Sequence, residues 1–276
     1  MPQKITIKDI QAKKKNGEKI AMLTAYDYPI AGLLDEAGID IVLVGDSLAN
    51  VVLGLESTRE VGLQAMLHHT KAVRRAVKNA LLVGDMPYEA YQKVTSKAVI
   101  NATRFMKEAG CDAVKIEWFD QCLGVVRQMV RAGVPVMGHV GLTPQTADQL
   151  GGLKVQGKEA ATAKRIIANA LALEKEGCFS IVLECIPAQV AQKITEKLSI
   201  PTIGIGAGVH CDGQVLVTYD LLGLFDRYKP KFVKQYTNLR VPIAKSVQRY
   251  IKEVREGKFP DDAHSYGMSP EEKKKL

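Results

Sequence analysis

Short apolar runs recur along the chain, and stretches with apolar residues at helical spacing separate most of them. The runs are KIAMLTAYD (19–27), IDIVLVGDS (39–47), NALLVGDMP (79–87), CDAVKIE (111–117), VPVMGHVG (134–141), FSIVLEC (179–185), IPTIGIGAG (200–208) and QVLVTYD (214–220). They are β-rich without strict alternation, the pattern of strands covered on both faces in a parallel sheet. Between them, Ala65, Leu67, Ala72, Val73, Ala76 and Val77, or Ile100, Ala102, Phe105, Met106 and Ala109, fall at the spacing of one helix face. Several of these stretches end on glycine, at Gly38, Gly110, Gly133 and Gly177, where a helix stop tolerates the left-handed conformation.

Eight strand units with crossover helices predict an α/β fold, a (β/α)8 TIM barrel in a single domain, and 276 residues suit it. The expected layout is a barrel over residues 1–260, with flanking helices at both ends, followed by a polar tail at 261–276. The eighth unit is the least regular. Residues 209–213 leave too little chain for a normal crossover helix, so QVLVTYDLLG reads as a strand or as a helix capped by Asp212. Residues 238–258 read as an amphipathic closing helix.

Apolar residues make up 46% of the chain and charged residues 25%, enough for a full core. The net charge of +8 gathers in runs such as Lys13–Lys15 and Lys273–Lys275, and aromatics are only 6%. That combination describes solvated faces rather than a nucleic-acid surface, which interleaves basic and stacking side chains. No apolar run reaches membrane-spanning length and the amino terminus lacks the apolar core of a signal peptide. Five cysteines without paired spacing suggest reduced thiols in a cytoplasmic protein.

Barrels of this type carry their chemistry at the carboxyl ends of the strands. Here those ends hold Thr24 and Asp27, Asp46 and Ser47, Asp85, Lys115 and Glu117, His139, Glu184, the GIGAG glycines, and Asp220. Singly, each has an ordinary reading: an aspartate there is usually a cap, a histidine a packed imidazole, and GIGAG either a tight turn or a phosphate cradle. Together they suggest a hard, oxygen-rich site suited to Mg²⁺. Glu184, between apolar neighbours, is the candidate base for enolising a 2-oxo acid. In VLVGDSL and LVGDMPY, the glycine before Asp46 and the one before Asp85 are expected to make backbone room near the ligand.

The motifs TAYD (24–27), VGDS (44–47), GDMPY (84–88), VKIE (114–117), GHVGLTPQ (138–145), KVQGK (154–158), LEC with Pro187, IGIGAG (203–208) and DGQVLV (212–217) stand in order along the chain. At these residues it closely resembles the ketopantoate hydroxymethyltransferase family. The resemblance implies transfer of a hydroxymethyl group from 5,10-methylenetetrahydrofolate to 3-methyl-2-oxobutanoate, giving 2-dehydropantoate for pantothenate. It implies one Mg²⁺ per subunit associated with Asp46, Asp85 and Glu117. Asp46, Ser47, Asp85 and Lys115 would bind the oxo acid beside His139, with Glu184 as proton acceptor. It also implies a cytoplasmic homo-oligomer, commonly a decamer, with no nucleic-acid or membrane partner.

One departure stands out. The family usually follows VKIE with Gly-Gly, whereas Trp118 and Phe119 stand here, either packing under the loop or bordering the folate pocket. Two other readings are a Mg²⁺-dependent barrel lyase or mutase acting on a phosphorylated or pyruvate-like 2-oxo acid, and a non-catalytic scaffold.

Overall fold

Eight parallel strands pair in chain order and close into a barrel in the computed structural model, which describes residues 3–93 and 95–276. They are β1 (Ile20–Thr24), β2 (Ile41–Val44), β3 (Leu81–Asp85), β4 (Ala113–Lys115), β5 (Val136–Gly141), β6 (Ser180–Glu184), β7 (Thr202–Ile205) and β8 (Gly213–Leu216). The ring is completed by β1 pairing with β8, from Ile20 opposite Gly213 to Leu23 opposite Leu216. The helices are α1 (Ile7–Asn16), α2 (Tyr28–Glu36), α3 (Leu48–Val51), α4 (Leu63–Ala76), α5 (Tyr88–Tyr91), α6 (Ala98–Lys107), α7 (Cys122–Arg131), α8 (Ala160–Lys175), α9 (Ala188–Lys197), α10 (Thr218–Leu221), α11 (Arg240–Arg255) and α12 (Pro270–Lys273).

Side chains alternate between the two faces of a strand, so every second residue enters the barrel. Ile41 and Leu43, Leu81 and Val83, Ala113, Met137, Val182, Ile203 and Val215 accordingly form one buried interior cluster. The intervening residues meet the helices, which leaves β2 and β3 buried throughout. Helix α1 begins with a capping box between Thr6 and Asp9 and adds its wholly buried Ile10 to the interior cluster. Lys13 pairs with Asp40 at 2.8 Å and Lys14 with Asp212 at 2.9 Å. Those aspartates precede β2 and β8, so α1 seats across the amino ends of the strands and leaves the carboxyl ends as the mouth.

The eighth unit is a strand. Asp212 caps no helix; its carboxylate accepts from the Thr202 backbone N–H at 2.8 Å and from Lys14, joining the starts of β7 and β8 to α1. Residues 206–212 return the chain between these strands without a helix.

Two compact units are distinguished. One runs to Thr218, takes in Lys229–Val233 and contains all eight strands; the other comprises Tyr219–Tyr228 and Lys234–Leu276. In the second unit the amphipathic stretch at 238–258 forms α11, none of whose residues is buried. Residues 261–276 hold a short 3-10 turn at Asp262–His264 and α12. Among the described residues no helix is long and apolar enough to cross a membrane.

Candidate active site

The inward alternation that builds the apolar interior continues to the mouth and there turns polar. Val83 is followed two residues on by Asp85, Ala113 by Lys115 and then Glu117, Met137 by His139, and Val182 by Glu184. Four adjacent strands thus deliver four ionisable groups and a histidine to one place, because each side chain inherits the inward phase of its strand.

The β3–β4 register sets Asp85 opposite Lys115. The Lys115 ammonium lies 2.8 Å from each Asp85 carboxylate oxygen, and both side chains are buried. Asp85 Oδ2 also accepts from the Asp46 backbone N–H at 3.2 Å. His139 lies between two carboxylates, its Nε2 3.2 Å from Glu184 Oε2 and its Nδ1 3.6 Å from Glu117 Oε1. Neither ring nitrogen has a well-formed hydrogen bond. Ser47 Oγ is 2.8 Å from the Tyr26 hydroxyl.

Burial dominates the electrostatics. It pushes the Glu184 carboxyl up to about 8, with Asp46 adding to the rise and Lys115 opposing it, although 16% of the side chain remains exposed. Glu117 is raised well above the carboxylate range by burial and then by Asp46. Burial also raises Asp85 against the pull of Lys115. Lys115 itself is held cationic: burial opposes its charge, but Asp85, Asp46 and Glu117 outweigh that and lift it above the usual lysine value. Burial and then Lys115 depress His139 well below the ordinary histidine value, so its imidazole is neutral.

Several of the remaining candidates are held by other contacts of the framework. Asp27 caps α2 by accepting from the Ile30 N–H at 2.9 Å. Thr24 accepts from the Thr218 N–H at 3.0 Å, and Asp220 falls in the second unit. The GIGAG glycines give packing space: a Cβ at Gly204 would meet Cys211 Sγ at 2.8 Å, one at Gly206 Phe232 at 2.8 Å, and one at Gly208 Ala188 at 2.5 Å. Gly84 corrects another expectation. A Cβ there would lie 2.6 Å from Phe105 and 2.7 Å from Cys111 Sγ, so this glycine admits α6 against the outside of β3 rather than making room for a ligand. Phe119 packs, its ring set edge-on against that of Tyr91 at 5.5 Å, and the Trp118 backbone N–H donates to the His139 carbonyl at 2.9 Å.

Known sequences match the chain along nearly its whole length. The family profile described as ketopantoate hydroxymethyltransferase matches residues 4–262. The chain belongs to that family. It is 55% identical to the 3-methyl-2-oxobutanoate hydroxymethyltransferase of Syntrophus aciditrophicus (strain SB), over 96% of this chain and 97% of the relative. It is 55% identical to the enzyme of the same name from Moorella thermoacetica (strain ATCC 39073 / JCM 9320), over 95% and 98%. Among solved structures it is similar in fold to phosphoenolpyruvate phosphomutase from Streptomyces platensis subsp. rosaceus, with a TM-score of 0.62, 13% identity, and coverage of 95% and 92%. A 2,3-dimethylmalate lyase gives 0.60, 14%, 98% and 90%.

Within this family member, two residues of the mouth escaped the sequence reading. Tyr91 and Gln145 are buried and bonded to each other at 2.6 Å. Gln145 ends the GHVGLTPQ motif, and its position after Pro144 gave no sign that its side chain enters the site.

Asp46, Asp85, Glu117 and Glu184 set four carboxylates against the single ammonium of Lys115. No three His, Cys, Asp or Glu side chains among the described residues group closely enough to enclose a metal by themselves. Oxygen donors of this kind suit Mg²⁺, which takes one or two carboxylates and fills its shell with water and substrate. Asp46 adds to the rise that burial imposes on Asp85, Glu117 and Glu184, and a cation between these carboxyls would relieve it. Asp46 and Asp85 are the residues that would hold it. Glu117, the third residue expected beside the metal, accepts from the Gln145 backbone N–H at 3.0 Å through Oε2, and its Oε1 faces His139.

Proposed function

We propose that this mouth transfers a hydroxymethyl group from 5,10-methylenetetrahydrofolate to 3-methyl-2-oxobutanoate, giving 2-dehydropantoate. The observation that carries the reading is the convergence of Asp46, Asp85, Lys115 and Glu184 on one barrel mouth, in a chain 55% identical to enzymes of that name.

The oxo acid binds at Asp46, Ser47, Asp85 and Lys115. Mg²⁺, when bound, supplies Lewis-acid polarisation of the 2-oxo group. Lys115, fixed by its two bonds to Asp85, places positive charge where the enolate develops, which lowers the barrier because the charge is oriented in advance. Glu184 takes the C3 proton onto its carboxylate. Neutral His139, 3.2 Å from Glu184, borders the substrate and adds no competing charge. A carbon–carbon bond then forms between C3 and the folate methylene carbon, the carbon–nitrogen bonds to the folate break, and water supplies the hydroxyl oxygen, leaving tetrahydrofolate. Holding both substrates in one mouth supplies much of the advantage through proximity.

The lyase or mutase reading has less support. It asks GIGAG to cradle a phosphate, whereas these glycines abut protein side chains, and the lyase and mutase structures share only the fold at 13–14% identity. A homo-oligomer is supported by the exposed apolar residues of α11, Val247, Tyr250 and Val254 among them, and light scattering would measure its size. Five free cysteines fit the cytoplasm.

The test mixes the protein with the oxo acid, methylenetetrahydrofolate and Mg²⁺ and detects 2-dehydropantoate by mass spectrometry. Product that depends on both substrates is expected. Its absence in protein that still binds the oxo acid would overturn the assignment.

A further inference from the structure

Gln145 comes from the loop after β5, yet it is bonded to the ends of three other strands. It is wholly buried, and its amide uses its full hydrogen-bonding capacity. Nε2 donates to Asp46 Oδ2 at 2.9 Å and to the Met86 carbonyl at 3.0 Å. Oε1 accepts from the Tyr91 hydroxyl at 2.6 Å and from Gln92 Nε2 at 3.2 Å. Its backbone N–H donates to Glu117 Oε2 at 3.0 Å.

We propose that Gln145 is a positioning residue that orients the Asp46 carboxylate for ligand binding, and that Tyr91 holds Gln145 in the orientation to do so. The inference rests on the transferase reading of the same mouth. Turning the amide over would set its carbonyl against the Asp46 carboxylate and the Met86 carbonyl, and its NH₂ against the Tyr91 and Gln92 donors, so only one orientation satisfies all four partners. Asp46 is thereby pinned through Oδ2. Its Oδ1 accepts no hydrogen bond from the described residues and is left for a ligand. Tyr91 is braced in turn: its hydroxyl accepts from the Glu117 N–H at 3.0 Å, and the Phe119 ring packs edge-on against it. The aromatic that stands where the family usually has glycine therefore reaches Asp46 through Tyr91 and Gln145. An outer partner of this kind sets where a first ligand sits, and its loss typically weakens metal affinity by about 10- to 100-fold.

Gln145→Glu and Tyr91→Phe separate positioning from mere packing. The glutamate keeps the shape and can still accept from Tyr91, but it sets a carboxyl oxygen against Asp46. The phenylalanine leaves Gln145 in place and removes the hydroxyl that orients it. Calorimetric titration with Mg²⁺, KM and kcat for the oxo acid, and thermal unfolding are compared with wild type. Gln145→Glu is expected to weaken Mg²⁺ by about 10-fold or more and to raise the oxo-acid KM by more than it lowers kcat. Tyr91→Phe should shift both in the same direction by less. Unfolding losses with wild-type Mg²⁺ affinity and KM in either folded variant would overturn the proposal, and Tyr91→Phe alone decides it if the glutamate variant does not fold. If wild-type protein binds Mg²⁺ but gives no product, the transferase reading fails while the Mg²⁺ titrations still judge Gln145.

Discussion

Glu184 is set up as a base by its surroundings, and its protonation gives the most direct test of the mechanism. With the carboxyl held up to about 8 by burial, the ionised share is about 1% near pH 6 and about half near pH 8, a gain of about 50-fold. The C3 proton of 3-methyl-2-oxobutanoate should therefore exchange faster as the pH rises through this window, with a limb approaching one decade per unit. A cation held at Asp46 and Asp85 moves the break to lower pH, because nearby positive charge favours the carboxylate. Glu184→Gln keeps the shape and abolishes the limb, lowering exchange by about 10²- to 10⁴-fold, the usual worth of a positioned base. The assay is deuterium exchange at C3, followed by NMR with Mg²⁺ and without folate, so enolisation is seen apart from transfer. A wild-type rate that falls as pH rises, or a Gln variant within about 10-fold of wild type, would refute the assignment.

The same carboxyl has a consequence for stability. Its folded value is raised from 4.5, so its contribution is fully present below the unfolded value and is lost as pH rises from there through about 8. Urea unfolding should show stability falling across that range by up to about 1.4 kcal/mol per pH unit from this group, less so in Glu184→Gln. Lys115→Met strands Asp85 without its ammonium and should cost about 3–5 kcal/mol, with Mg²⁺ recovering part of the loss on titration; an undiminished urea midpoint would mean the pair is not formed. Gly84→Ala forces a Cβ against Phe105 and Cys111 and should cost about 1–3 kcal/mol of overpacking in the same experiment. Ile10→Ala empties the α1 contribution to the interior and should cost about 2–5 kcal/mol, detected as a lower thermal midpoint; no change would show that α1 does not close the amino end of the barrel.

The amino-acid sequence by itself determined the barrel, because buried parallel strands must be apolar on both faces and their crossover helices must repeat an amphipathic period. Eight such runs, most of them ending in polar groups, also disclosed Asp46, Asp85, Lys115, His139 and Glu184 as one candidate set. Residues two apart on a strand share a face, so it was legible before any coordinates that Lys115 and Glu117 point to one side, inside the barrel or at its rim. Register between strands was not. That Asp85 faces Lys115, that His139 stands between Glu117 and Glu184, and that Gly84 serves a helix on the outside all depend on which residues sit side by side across neighbouring strands. Gln145 makes the point most clearly. It lies 99 positions from Asp46, and only closure of the barrel, with the loop after β5 folded over the mouth, brings its amide to that carboxylate.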